Sequence, residues 1–389
     1  MRPLAALVTT GALVLGALVV APAEASRPRE PHQVQRVQIV RASPHSLTLK
    51  WAPAKRAQRY LVERARGLDG HAQRWTRSLS HHSTTIKKLR KGALYCFWVR
   101  GVNRGRLGDR SHRACQYTIG AQGKNRGPRY DVMTWNVCAA KCGGWDRRRG
   151  AAARLIRTRG PSVLMLQEYP PGKGLEKRLG AYAVAEGKAA KALLYKKKRF
   201  KVAHRNGKRL TGEINLGYDP GGHMYRWAVW AELVDKRARG KHVIFVSTHL
   251  APGADTKRMS KLRAKNARLM LRGIRRVNDR HVPVVIAGDF NHTQAGRWNG
   301  GAGMMKRGGY RNSFFYAQSW YRPNINSYTQ KRGRPTWSNL WGRHLDQVWV
   351  RPGQVRVLRW SNVARIKNGR YPRPLVSDHN PVMVKLRVN

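Results

Sequence analysis

Two folded units of different class are predicted: an all-β sandwich over residues 33–119 and an α/β unit over residues 130–389. Short alternating runs divided by turn residues point to the first, because side chains two apart share one face of a strand. Apolar strand-like runs that alternate with helix-periodic stretches point to the second. Between them, residues 120–129 hold three glycines and no apolar run, and read as a linker.

In the front unit the runs are Ser46–Trp51, Arg59–Arg64 and Leu94–Val99. Alternation places Tyr95, Phe97 and Val99 inward and Cys96 outward, with Cys115 on the next strand across a hairpin. The positions of Trp51, Tyr60, Leu89, Tyr95 and Val99 resemble a fibronectin type III domain. The resemblance rests on core positions, so it implies a fold and no chemistry. A spacer is the expected role.

Ahead of that unit, residues 1–25 read as an export signal: Arg2, then apolar Leu4–Val20, then Ala23-Glu24-Ala25. A spanning helix needs about 20 apolar residues, and this run is shorter and meets Pro22. A secreted protein without a membrane anchor is therefore expected. Export permits disulfides. Four cysteines allow three pairings; neighbouring positions favour Cys96 with Cys115 and Cys138 with Cys142 over a zinc site.

Lys and Arg number 78 against 19 Asp and Glu, for a net charge of +59. Arg2 and Glu24 cancel, so removal of the signal leaves that charge unchanged. Such a field attracts polyanions, nucleic acid foremost. Collagen and coiled coil are excluded by the lack of a short repeat, and wholesale disorder by the 41% apolar content. No protein partner is indicated, and a monomer is expected.

Two helices are expected in the second unit, Asp146–Arg159 and Asp255–Asn278. Met259, Leu262, Leu269, Ile274 and Val277 fall near one face of the latter, with Asp255 as its cap. It also carries nine Lys and Arg and no acid between Lys257 and Arg276. Their mutual repulsion suits an anionic partner or a hydrated, salt-screened face.

The scarce acids carry the functional signal. From residue 280 onward there are three, Asp289, Asp346 and Asp378, each within three residues of a histidine: His292, His344 and His379. Apolar strands also end in groups able to bind a metal or move a proton: Asn136, Glu168, His249 and Asp289. Strands pointing the same way bring such ends to a common edge, where open α/β sheets place their clefts. Oxygen donors without a thiolate cluster suit Mg²⁺, Mn²⁺ or Ca²⁺. Carboxylates, amides and imidazoles together suit attack of water on a phosphoryl centre.

The ordered set Thr-Trp-Asn136-Val, Leu-Gln-Glu168, Ser-Thr-His249-Leu, Gly-Asp289-Phe-Asn291, Leu-Asp346-Gln-Val and Ser-Asp378-His379-Asn-Pro resembles the endonuclease/exonuclease/phosphatase superfamily. The resemblance implies two mixed sheets flanked by helices, a four-layer sandwich, and metal-dependent phosphoester hydrolysis. It implies Glu168, with Asn136 and Asp378, for the metal, and Asp289 to orient or activate water. Asn291 would steady the phosphate, His379 with Asp346 would be the catalytic pair, and His249 the second histidine. Arg226 sits where several relatives have a phosphate-facing arginine. Tyr182 and Glu186 lie near where some nucleases have partners for the second histidine.

Substrate is less determined. Trp298, Tyr310, Phe314, Phe315, Tyr316, Trp320, Tyr321, Tyr328, Trp337 and Trp341, interleaved with Arg and Lys, suit base stacking, core packing or a lipid interface. Three functions follow: a secreted metal-dependent nuclease, which is favoured; an extracellular sphingomyelinase-like or small-molecule phosphodiesterase or phosphatase; and a non-catalytic polyanion-binding adhesin.

Overall fold

The computed structural model describes residues 28–67, 71–74, 78–119, 127–293, 298–323, 325–330, 332–336 and 343–389. The expected export signal and most of the expected linker lie outside the described residues. Among the described residues, no helix is long and apolar enough to cross a membrane.

The front unit is the expected sandwich. One sheet pairs Gln38–Ala42, Leu47–Lys50 and Ser83–Ile86; the other centres on Arg59–Arg66 and Leu94–Asn103. Trp51, Tyr60, Leu89, Tyr95 and Val99 are all buried between them. The two tyrosine hydroxyls each accept a backbone N–H, from Ala54 and Arg90, so neither polar tip is stranded. Cys96 departs from the expectation. It is fully buried rather than outward, because Cys115 stands directly opposite in register and the bridge between them covers it.

The second unit holds two seven-stranded mixed sheets. The first runs Tyr182–Lys188, Lys191–Lys196, Val163–Gln167, Arg129–Asn136, Val382–Val388, Val355–Asn362 and Trp320–Tyr321. The second runs Phe200–Val202, Met224–Asp235, Lys241–His249, Val284–Asp289, Asp346–Val350 and Arg311–Asn312, with Thr211–Asp219 also paired to Met224–Asp235. Alternation sorts each strand's side chains between two layers. Val132, Val163, Val229, Phe245 and Val285 fill the space between the sheets, whereas Trp135, Leu164 and Leu166 face the helix Trp145–Arg159. Ala228, Val246 and Ile286 face the long helix Lys257–Val277. Four layers result, as expected.

Helix ends follow local chemistry. Trp145–Arg159 stops at Gly160, whose left-handed backbone (φ 58°) lets its N–H reach the Ile156 carbonyl. The long helix begins one residue later than its expected cap: Thr256 accepts from the Met259 N–H, and Asp255 instead binds Arg263 at 2.7 Å. Its buried face is also rotated from the expected one. Arg263, Asn266, Ala267, Met270, Leu271 and Ile274 face the sheet, because the Arg263 guanidinium is spent on Asp255 and the carbonyls of Ala251 and Gly253. The remaining eight basic side chains are exposed.

The two units touch through Phe314–Ser319. Ala42 N–H donates to the Gln318 carbonyl, Gln116 to the Phe314 carbonyl, and Tyr117 meets Phe315 edge-on at 5.6 Å.

Candidate active site

Two parallel strand pairs create the shared edge. Arg129–Asn136 runs beside Val163–Gln167, so Asn136 is level with Gln167 and adjacent to Glu168. Lys241–His249 runs beside Val284–Asp289, so His249 is level with Asp289. Asp346 pairs with Asp289 from the other side. Gly288 makes this register possible: a Cβ there would sit 1.9 Å from the Thr248 carbonyl oxygen, so no larger residue fits before Asp289. Glu168 and Asn291 both adopt left-handed backbone, φ 51° and 53°, where their strands end. Strained non-glycine residues of this kind gather at functional sites.

Asn136 links the two sheets. Its Nδ2 donates to Glu168 Oε1 at 3.1 Å and to Asp289 Oδ2 at 3.2 Å. Asp289 lies 3.5 Å from His249 Nε2 and 3.6 Å from His379 Nε2, and accepts the Asn291 N–H at 2.8 Å. His379 Nδ1 is 2.8 Å from Asp346 Oδ2. Ser377 fixes the last loop, donating to the Asn136 carbonyl at 2.7 Å and accepting the His379 N–H at 3.0 Å. The Asn291 side-chain N–H goes to the Leu250 carbonyl. Asn136, Glu168, His249, Asp289, Asn291, Asp346 and His379 thus form one connected cluster.

Burial drives the electrostatics. The Asp289 carboxyl is pushed up to about 6 by desolvation, against the opposing pull of His379. Burial alone would lower His379, but Asp346 and Asp289 outweigh it and raise the imidazole to about 10. His249 goes the other way. Desolvation, then the nearby Lys191 and Arg226, hold it well below the usual imidazole range. One imidazole is therefore cationic and the other neutral at pH 7, which separates a proton donor from a neutral ligand or acceptor.

Arg226 and Asp378 flank the cluster. Arg226 donates twice to Asp219 Oδ2, at 2.7 and 2.9 Å, in a buried pair. Asp378 accepts from Ser377 Oγ, and one of its oxygens lies within 4.8 Å of both sulfurs of the Cys138–Cys142 bridge. Tyr182 does not reach the cluster: it is level with Lys196 at the opposite end of the sheet and donates to the Pro161 carbonyl, while Glu186 accepts the Gly187 N–H.

Of the three histidines that share sequence neighbourhoods with acids, the structure brings only His379 to the cluster. His292 lies against Phe290, and His344 between Phe314 and Trp360. The aromatic stretch is mostly core. Tyr310, Phe314 and Trp320 are buried, Trp337 and Trp341 lie outside the described residues, and Tyr328 stacks near the cluster, 4.9 Å from the His379 ring.

Four residues were given no catalytic or positioning role by the sequence. Lys191 is buried beside Glu168's strand, lowered to about 8 by desolvation and Arg226 against the pull of Glu168. Tyr328 and Ser377 are the second and third. The fourth is Arg148, buried with its guanidinium bound to the carbonyls of Val137, Cys138, Gly143 and Val376. It ties the Asn136 loop to the loop before Asp378. Alternation inward on Lys191–Lys196 was the available signal for Lys191, hidden among 78 basic residues.

With this geometry in hand, comparison with known proteins is decisive for family. The profile described as "Endonuclease/Exonuclease/phosphatase family" matches residues 133–379, and a "Fibronectin type III domain" profile matches residues 32–114. The chain belongs to the endonuclease/exonuclease/phosphatase family. A family protein from Bacteroides thetaiotaomicron superposes with TM-score 0.53 at 19% identity, over 68% of this chain and 99% of that one. A mannosyl-6-phosphatase from the same organism gives 0.51 at 20%, over 66% and 99%. D. rerio TDP2 complexed with a single-strand DNA product gives 0.50 at 17%, over 67% and 99%. No match is found among curated proteins. The family's members are hydrolytic phosphoesterases and generally depend on a divalent metal.

Proposed function

We propose that this chain is an exported nuclease that hydrolyses phosphodiester bonds in nucleic acid by directed attack of water. The observation that carries the chemistry is the Asp346–His379–Asp289–Asn136–Glu168 relay, in which hydrogen bonds and close contacts connect all five groups across two sheets. A net charge of +59 and eight exposed basic side chains on one helix favour a polyphosphate substrate.

Asp289, held by the Asn291 N–H and Asn136, orients the attacking water and takes its proton. His379, cationic and braced by Asp346, donates to a phosphate oxygen as charge builds there. Lys191 adds positive charge beside Glu168. The donor set suits a hard divalent cation: Glu168 Oε2 is buried without a hydrogen-bond partner, next to the Asn136 amide. Glu168 and Asn136 would hold such an ion, whereas Asp378, the other expected ligand, stands beside the Cys138–Cys142 bridge. When bound it would supply charge neutralisation at the phosphate. Mg²⁺ and Mn²⁺ are the first ions to try.

The test presents purified protein with plasmid, RNA, sphingomyelin and bis(p-nitrophenyl) phosphate, each with and without chelator. Metal-dependent nicking of plasmid or degradation of RNA supports the proposal. Hydrolysis of lipid alone rejects it. Recovery of processed protein from culture medium tests export.

A further inference from the structure

Three exposed apolar side chains crowd the tip of one hairpin beside the site. Tyr218, Met224 and Tyr225 are 42%, 50% and 57% exposed, and among the described residues only Leu107, in the front unit, is a comparable case. Scattered surface apolar groups need no explanation, but a contiguous group on a rigid tip does. The tip is rigid. Asp219 and Arg226 form a buried ion pair across it, and Asp219 Oδ1 accepts the Gly221 N–H at 3.1 Å.

Tyr218 and Tyr225 face each other across the ladder, ring centroids 5.4 Å apart and planes at 66°. Along Met224–Asp235, Val229, Ala231 and Leu233 point into the layer between the sheets, and Ala228 and Trp230 point to the long helix. Alternation therefore puts Tyr225 and Trp227 on the inter-sheet side. Ala228 pairs with Thr248, so the next step along both strands brings Trp227 level with His249. Trp227 is partly exposed, and Lys188 Nζ lies 4.9 Å from its ring centroid. An aromatic row thus runs from the hairpin tip to the catalytic edge, and its inner member is braced by Lys188, which is itself paired with Glu213 at 2.6 Å.

We infer that Tyr218, Tyr225 and Trp227 form a stacking subsite for unpaired nucleobases that flank the phosphate being cut. This deepens the nuclease reading and rests on it. Every base offers a π face, so such a row is tolerant of sequence. A duplex keeps its bases stacked on one another and presents none to the row. The enzyme should therefore favour single strands or frayed ends.

The experiment compares the full-length wild type with the Tyr218→Ala, Tyr225→Ala double variant and with Tyr225→Phe. Substrates are a mixed-sequence single-stranded oligonucleotide, the same length with abasic sites throughout, a blunt duplex and bis(p-nitrophenyl) phosphate, each with Mn²⁺. KM for the single strand should rise about tenfold in the double variant and stay near wild type in Tyr225→Phe. The abasic strand, which has no π face to offer, should be cut equally by all three proteins. An unchanged KM for the single strand, or an equal loss on the abasic strand, overturns the subsite while leaving the nuclease reading intact. A wild type that hydrolyses bis(p-nitrophenyl) phosphate but no nucleic acid overturns both. Lost binding to sphingomyelin vesicles with unchanged DNA cleavage would also overturn it, assigning the row to a lipid surface instead.

Discussion

The front sandwich and the catalytic edge treat polarity in opposite ways. In the front unit the buried polar side chains among the described residues are Ser111, Gln116 and Thr118, and none is charged. At the catalytic edge Lys191, Asp219, Arg226, His249, Asp289, Asp346 and His379 are all buried. Glu168 Oε2 and Asp346 Oδ1 even lack a hydrogen-bond partner. Burying charge is expensive unless it is paired, so one region is built for stability and the other holds groups poised for a ligand.

The largest effect that would sharpen the contrast is catalytic. Asp289→Ala or His379→Ala should lower kcat by about a thousandfold while the protein still folds, read from bis(p-nitrophenyl) phosphate turnover and circular dichroism. Trp51→Ala should do the reverse. Loss of that core ring should destabilise the front unit by about 3–5 kcal/mol, seen in urea melts, with turnover unchanged.

The two disulfides offer a smaller, paired comparison. Cys96→Ser with Cys115→Ser should cost about 2–4 kcal/mol of stability and leave kcat alone. Cys138→Ser with Cys142→Ser opens a much shorter loop and should cost less stability. It should lower kcat several-fold, because Arg148 ties that loop to the one carrying Asp378 and His379. Equal effects of the two pairs on kcat would break the comparison.

A further effect is on acid stability. Burial holds His292 and His344 near 4, below the 6.5 of an unfolded chain. As pH falls through 6.5 the unfolded state takes up protons first, so stability declines until about pH 4. Each histidine can contribute up to about 1.4 kcal/mol per pH unit. The front unit buries no histidine among its described residues. His344→Leu should therefore flatten the urea midpoint of the catalytic unit between pH 7 and pH 5, and leave that of the front unit alone.

Much of this was readable from the chain, for physical reasons that differ by residue. Asn136, Glu168, His249 and Asp289 were visible because each ends an apolar run, and parallel strands place such ends together. His292 and His344 looked equally promising beside Asp289 and Asp346. Sequence proximity does not determine which side of a turn a ring takes, and both rings went to the core. The long helix was found, but its phase was not, since a buried Arg263 reads as surface until Asp255 and two carbonyls are seen around it. Lys191 was invisible for the same reason.

The most direct test of a shared, metal-requiring edge is a Mn²⁺ titration of bis(p-nitrophenyl) phosphate hydrolysis by wild type and Glu168→Gln. The account predicts no turnover in chelator, recovery on adding metal, and a shift of the Glu168→Gln curve to much higher metal concentration. Chelator-insensitive turnover, or superimposable curves, would contradict it.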